Sequence, residues 1–195
     1  GMLIVGTIPA AIVGLTIKRH FEWLMRSPLL AGSMLIVTGI GLVILGRLRP
    51  REGRYQSMSL IHAFWIGCFQ AFAILPGISR SGSTILGARL LGLKNEDSVT
   101  FSFLLAIPAI CGAVLLELKS FLETSSLGAS APLQSNESEL APFLLSVGAM
   151  VSFVVGIVAL KWLIGWSRMD RLHWFAWWCI PTGVVAVIMV RSGWM

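Results

Sequence analysis

An all-α fold, a polytopic membrane bundle with a re-entrant helix hairpin, is the class this sequence predicts, on three observations. Of 195 residues, 56% are hydrophobic and only 12% charged, against about 25% charged in a soluble domain. The apolar residues form runs approaching the roughly 20 residues of helix that cross a bilayer. One long run is broken midway by a Pro-Gly pair and a cluster of hydroxyls.

The runs, in order, are Met2–Ile17, Pro28–Gly46, Met58–Leu93 with its polar break, Phe101–Leu118, Pro142–Trp166 and Trp174–Val190. All are expected to be helical, because loose backbone polar groups find no partners in lipid. The first run lacks the basic residues that precede a secretory signal core and the small-residue cleavage site that follows one. The chain opens inside an apolar segment, so residues 1–195 are expected to be a single integral-membrane domain, the C-terminal part of a longer protein.

Charge placement sets the expected topology. The net charge is +6, but most of the basic residues lie in short loops between apolar runs. That pattern reads as membrane orientation and not as a nucleic-acid surface. Arg47 to Arg54 holds four Arg and one Glu, and Ser167 to His173 holds two Arg and one Asp; both read as cytoplasmic. Lys119 to Ala141, rich in Ser and with three Glu against one Lys, reads as extracytoplasmic. Lys18, Arg19 and Arg26 run against this rule, falling on the outer side by alternation. Trp174, Trp177 and Trp178 read as an interfacial belt. Cys68, Cys111 and Cys179, an odd number placed in apolar runs, argue against a disulfide framework. Lys161 is expected to snorkel to the interface.

With both flanks on the cytoplasmic side, the Met58–Leu93 block must enter the membrane and return. Its second half, Ser81–Leu93, gives only about 20 Å of helix, too short for a full span. A re-entrant hairpin broken at Pro76–Ile78 is therefore expected, with Ser79–Thr84 buried at its tip. Irregular backbone at membrane depth survives only where protein or a wet cavity receives it.

The tip carries the chemistry. Ser79, Ser81, Ser83 and Thr84 surround Arg80 at the start of a new helix. A helix N-terminus leaves N–H groups unpaired and attracts anions. Arg80 adds a planar fork suited to phosphate oxygens, and Thr84 shares its helix face. An Arg at the bilayer centre costs about 2.5–3.5 kcal/mol on insertion scales. No acidic residue lies near it in sequence, so an anionic ligand is the expected compensation. The Ser79 and Thr84 hydroxyls are expected to face the same cavity as the guanidinium. Gly82 and Gly87 fit either close backbone approach to a ligand or helix packing. Arg89 lies on the opposite face and is read as a structural residue snorkelling to the cytoplasmic interface. His62 could face the site but reads better as a packed or interfacial residue, and His20 and His173 read as surface residues.

The segment Leu75-Pro-Gly-Ile-Ser-Arg-Ser-Gly-Ser-Thr84, with Gln70 before it and Phe101-Ser-Phe-Leu-Leu-Ala-Ile-Pro108 after it, resembles the undecaprenyl-pyrophosphate phosphatase, or bacitracin-resistance, family. The likeness continues through Phe153-Val-Val-Gly-Ile-Val-Ala-Leu-Lys-Trp-Leu163 to the C-terminus. It implies a bacterial inner-membrane enzyme that hydrolyses undecaprenyl pyrophosphate to the monophosphate, recycling the lipid carrier of peptidoglycan synthesis. It implies an inverted repeat, of which this chain would hold half, and a site open to the extracytoplasmic side. It assigns Ser79, Arg80 and Thr84 to catalysis and Gly77, Ser81, Ser83 and Gln70 to substrate binding. It implies a divalent cation, magnesium or calcium, for which this chain offers no identifiable ligands. The expected partners are the polyprenyl-pyrophosphate lipid and membrane lipids, with no nucleic acid and with a homodimer left open. Two departures stand out. The family's earlier motif, glutamates followed by Ser-Ser-Thr-Gly-His, is absent, and Glu117, at a helix end, is no substitute. Trp178-Cys179 stands where many members have Tyr-Arg. Ser79 and the absent His are both candidates for the attack on phosphorus. The competing readings are a carrier or flippase for an anionic polyprenyl lipid, and an inactive membrane fragment.

Overall fold

The computed structural model describes residues 1–20, 22–126, 140–168 and 171–192. The centre of the expected outer loop, 127–139, lies outside them, as do residues 169–170 of the loop before the last span. The described residues are helical apart from short connections and one isolated bridge. Four helical segments are long and apolar enough to cross a membrane: Pro28–Arg47, Asn95–Ser120, Phe143–Leu163 and Leu172–Arg191. The protein is thus a multi-pass α-helical membrane protein.

One compact unit comprises Gly1–Ala109 and Trp166–Met195. It begins with α1 (Met2–His20), then the single turn α2 (Glu22–Met25) and the span α3 (Pro28–Arg47). A 3-10 turn at Tyr55–Ser57 leads into α4 (Leu60–Phe72), α5 (Arg80–Leu90) and the start of α6 (Asn95–Ser126). After a 3-10 turn at Leu172–Phe175, α8 (Ala176–Arg191) completes the unit.

Glycines set the helix pairings. Helix α1 runs alongside α4 in the same direction: a Cβ on Gly1 would meet Leu60, one on Gly67 would strike the Gly6 backbone, and one on Gly14 would meet Ile74. Helices α3 and α8 run antiparallel, with Gly32 against Gly183, Gly39 against Ile180 and Gly46 against His173. Small residues let backbones approach and so gain dispersion contacts that lipid would otherwise supply. His173 is accordingly half-buried on α3 and is not the surface residue its charged loop implied. Trp174, Trp177 and Trp178 are all exposed, as an interfacial belt requires.

Helices α4 and α5 form the re-entrant hairpin. With 13 and 11 residues they rise about 20 and 17 Å, each short of a full span. Their outer ends meet. Met58 and Leu93 share a buried cluster with Ala63, Ile66, Ala88, Phe101 and Leu105. Gly53 donates its N–H to the Gly92 carbonyl and accepts from the Lys94 N–H, at 3.2 and 2.8 Å. The Arg-rich connection after α3 and the start of α6 thus lie at one end of the unit, as the charge pattern required. Helix α4 stops earlier than expected, at Phe72. The chain turns through residues 73–79, because the turn begins with the Ala73, Ile74 and Leu75 N–H groups bonding carbonyls of the last helical turn before Pro76 is reached.

Arg89 differs from its sequence reading. It does not snorkel: only 3% of it is exposed. Its guanidinium donates to the carbonyls of Leu93, Leu48 and Arg49 at 3.3–3.4 Å. It ties the base of the hairpin to the end of α3, where unpaired helix-end carbonyls favour a cation.

The other unit, Ile110–Gly165, holds the remainder of α6 and most of α7 (Leu140–Arg168). The window Phe143–Leu163 has no buried residue. Glu117 lies exposed within α6, which continues to Ser126, and so is not at the helix end.

Candidate phosphate site

Two spans and two half-helices converge on the N-terminus of α5. Thr38, which contacts the turn, is ten residues after Pro28 and nine before Arg47, so the turn lies about 14 Å from either end of that span. Leu105, which contacts Arg80, is ten residues after Asn95, or about 15 Å along α6. The two independent measures put the site at mid-membrane depth.

Ser79 is the N-cap of α5. Its hydroxyl accepts from the Gly82 N–H at 3.2 Å, which satisfies one of the orphaned N–H groups of the first turn. The Ser83 N–H returns to the Ser79 carbonyl at 2.9 Å. By helix geometry the Arg80 and Ser81 N–H groups remain for a ligand. The Ser79 hydroxyl also keeps its hydrogen, since it is the acceptor in its capping bond. Among the described residues the Ser81 and Ser83 hydroxyls take no partner. Ser79 to Ser83 are half-buried, and within the segment expected to be buried only Thr84 is so.

Arg80 is held by neutral acceptors. Its Nε and Nη2 both donate to Oε1 of Gln70, at 3.2 and 2.7 Å, and Nη2 also donates to the Leu105 carbonyl at 3.0 Å. Pro108 cannot donate to the carbonyl of Leu104, so the α6 backbone is opened one residue from that acceptor. Three of the five guanidinium N–H groups are thus engaged. The two on Nη1 have no partner among the described residues. The charge itself is uncompensated, since neither partner is an anion.

Gln70 is the informative residue. It is 3% exposed, and Nε2 has no hydrogen-bond partner among the described residues. Arg80 dictates this orientation of the amide, because a guanidinium can donate only to the oxygen. A buried amide N–H left unpaired costs about 1–3 kcal/mol. A half-buried cation and a buried orphan donor sit side by side.

Two sequence expectations are corrected here. The Thr84 hydroxyl does not share a cavity with the guanidinium. It is 1% exposed and bonded to the Arg80 carbonyl, the Ser81 carbonyl and the Ser102 hydroxyl. It fastens the first turn of α5 to α6. Gly77 faces α3 instead of a ligand: φ is +92°, and a Cβ there would lie 2.1 Å from the Ala31 carbonyl oxygen. Gly87 likewise makes room for the Phe69 ring. His62 stays away from the site, its Nδ1 within 2.7 Å of the Ser59 hydroxyl at the start of α4.

The residues do not fit the divalent cation that the family resemblance implies. The groups turned into the site are N–H and O–H donors. No cluster of three His, Cys, Asp or Glu exists among the described residues, whereas magnesium and calcium take oxygen acceptors, with carboxylates prominent among them. Sequence reasoning missed Thr38, Ser102 and the Leu105 carbonyl. No signal could have found the first, which lies on an ordinary apolar span 41 residues from Ser79.

A family model described as bacitracin resistance protein BacA matches residues 1–185. A curated undecaprenyl-diphosphatase of Rhodopirellula baltica is 61% identical over 97% of this chain and 70% of its own length. That of Carboxydothermus hydrogenoformans is 36% identical over 98% of this chain and 70% of its own. That of Corynebacterium glutamicum strain ATCC 13032 is 34% identical over 98% of this chain and 62% of its own.

Proposed function

The chain belongs to the bacitracin resistance protein BacA family, and on that premise we propose that it is an undecaprenyl-diphosphatase, binding the pyrophosphate of the lipid at the N-terminus of α5. In the reaction, a water oxygen bonds to the terminal phosphorus and gives up a proton to solvent, the bond from that phosphorus to the bridging oxygen breaks, and the bridging oxygen leaves on undecaprenyl phosphate. Inorganic phosphate is the second product. Negative charge grows on the bridging oxygen as it leaves, and donors fixed in advance toward that charge are the main source of rate in such sites. Arg80 Nη1, Gln70 Nε2, the Arg80 and Ser81 N–H groups and the Ser79, Ser81 and Ser83 hydroxyls are the donors this chain supplies. The single observation that carries the reading is the orphaned Gln70 amide beside an uncompensated Arg80.

Ser79 acts in this reading as cap and donor. For it to attack phosphorus, a base would have to take its hydrogen, and the recorded partner of that hydroxyl among the described residues is the Gly82 N–H, which is not one. Thr84 is a positioning residue held on Ser102.

In this reading the protein lies in the bacterial inner membrane, and the bias of Lys and Arg in short loops supports a cytoplasmic Arg-rich end of α3. The turn at Gly77 packs on Ala31 and Leu35, in the half of α3 away from Arg47, so the site opens to the extracytoplasmic side. Labelling of cysteines introduced at Gly53 and Ser130 tests this. Reaction of both from the same side would overturn the orientation.

The activity test is phosphate release from undecaprenyl pyrophosphate by the protein purified from its complete reading frame, paired with lipid transfer across reconstituted vesicles. Release of one phosphate per lipid is expected. Transfer of intact lipid without release would support a carrier instead.

A further inference from the structure

We propose that Thr38, on the span α3, is a positioning residue for the phosphate site, its one hydroxyl setting the direction in which the α5 N-terminus points. The proposal rests on the phosphatase reading above.

Thr38 is 8% exposed and lies far in sequence from the motif. Its hydroxyl donates to the Gly77 carbonyl at 2.9 Å and accepts from the Ser79 N–H at 3.0 Å. A hydroxyl has a single hydrogen to give, and here it goes to the turn. Three other hydroxyls on apolar helices behave differently. Thr7, Thr16 and Ser33 each donate to the carbonyl four residues earlier in their own helix, the usual local solution. Thr38 leaves its own helix to serve the hairpin.

The consequence is geometric. Gly77 and Ser79 flank Ile78, so a single oxygen fixes both peptide groups across the turn that ends at the N-cap. With the Ser79 N–H engaged, the next donors in line for an anion are those of Arg80 and Ser81. The rotation of α3 that aims Thr38 inward is itself fixed by the neighbouring Gly39, where a Cβ would strike Ile180, and Leu42 on the same helix would meet a Cβ on Gly82 at 3.7 Å. Without the hydroxyl, two peptide groups at mid-membrane depth lose their partner, and the turn must shift to find others.

The test compares Thr38→Val, which keeps shape and removes the hydroxyl, with Thr38→Ser, which keeps the hydroxyl, in the protein from its complete reading frame. Displacing a positioned donor by about 1 Å costs on the order of 100-fold. Thr38→Val should therefore lose about that much in kcat for undecaprenyl pyrophosphate, with KM changed by less than about threefold. Thr38→Ser should stay within about threefold of the parent in both. Hydrogen exchange in peptides spanning 75–84 should accelerate in Thr38→Val and not in Thr38→Ser. A folded Thr38→Val protein with parental kcat and parental protection would overturn the proposal. Should Thr38→Val not fold, the Ser variant decides, since a folded Thr38→Ser protein that has lost more than about tenfold in kcat also overturns it. If the parent releases no phosphate, the phosphatase reading fails by itself, and the exchange contrast alone decides whether Thr38 holds the turn.

Discussion

Helix α5 carries an arginine at each end, and the two are used in opposite ways. Arg89, at the C-terminus, is buried and gives three N–H groups, on Nη1 and Nη2, to the carbonyls of Leu48, Arg49 and Leu93, with Nε left unpaired among the described residues. Arg80, at the N-terminus, is half-buried and meets only Gln70 and one carbonyl, leaving Nη1 unengaged. The surroundings reinforce the contrast. The C-terminal end of a helix presents carbonyls and favours a cation, so Arg89 is at home there without a ligand. The N-terminal end presents N–H groups and disfavours a cation, so Arg80 adds positive charge where the backbone already supplies some. A helix end that concentrates donors in a membrane is arranged to receive an anion. One that matches a cation with carbonyls is arranged to hold the chain.

The largest expected effect breaks this comparison at Arg80. Arg80→Lys should lose about 100- to 1,000-fold in kcat/KM, nearly as much as Arg80→Ala. A Lys keeps the charge, but its three donors lie on one point. It cannot bond Gln70 Oε1, the Leu105 carbonyl and a phosphate in one plane. Phosphate release by purified variants at matched expression checks this, and near-parental turnover of Arg80→Lys would remove Arg80 from the site. Gln70→Leu comes next, with a loss of about 10- to 100-fold. It removes the acceptor that orients the guanidinium together with the orphan donor. If Gln70 only filled space, the similar volume of Leu would preserve activity.

Arg89→Lys sharpens the comparison from the other side. The sequence reading of a snorkelling side chain implied tolerance. Burial against three carbonyls implies instead a loss of about 1–3 kcal/mol in stability. Turnover per folded molecule should stay within about twofold of the parent. Thermal unfolding in detergent with parallel assays separates the two quantities. A variant as stable as the parent would restore the snorkelling reading.

What the sequence disclosed, and what it hid, follows the range of the interactions. The hairpin was legible because its evidence is local: a short second half, Pro76-Gly77, and hydroxyls next to Arg80. The same-end placement of Arg47–Arg54 and Lys94 followed from charge and is seen in the Gly53 contacts with Gly92 and Lys94. Thr84 was assigned to the cavity because it shares a helix face with Arg80. A helix face is broad, however, and Ser102 on α6 takes the hydroxyl. Arg89 was assigned to the interface because nothing in sequence revealed that the last carbonyls of α3 lie beside it. Thr38 was invisible for the same reason. In each case the partner is more than fifteen residues away, and periodicity along one helix carries no information about which neighbour supplies it.

The smallest effect is expected at His62, and it matters because the absent Ser-Ser-Thr-Gly-His motif leaves the source of a histidine open. A histidine serving the phosphate would have to lie within hydrogen-bond reach of it. His62 is eight residues before Gln70 on α4, about 12 Å nearer the Arg-rich end. Its ring is engaged with the Ser59 hydroxyl. That hydroxyl also accepts from the His62 N–H at 3.4 Å as the cap of α4, a bond that does not depend on the ring. Removing the imidazole therefore leaves the cap in place and the hairpin anchored. His62→Ala should keep kcat/KM within about twofold of the parent and lose no more than about 1 kcal/mol of stability. The decisive measurement is the pH profile of kcat/KM for phosphate release. If His62→Ala removed an ionisation near neutral pH, the helix register that separates His62 from Arg80 would be wrong, and with it the contrast between the two ends of the hairpin.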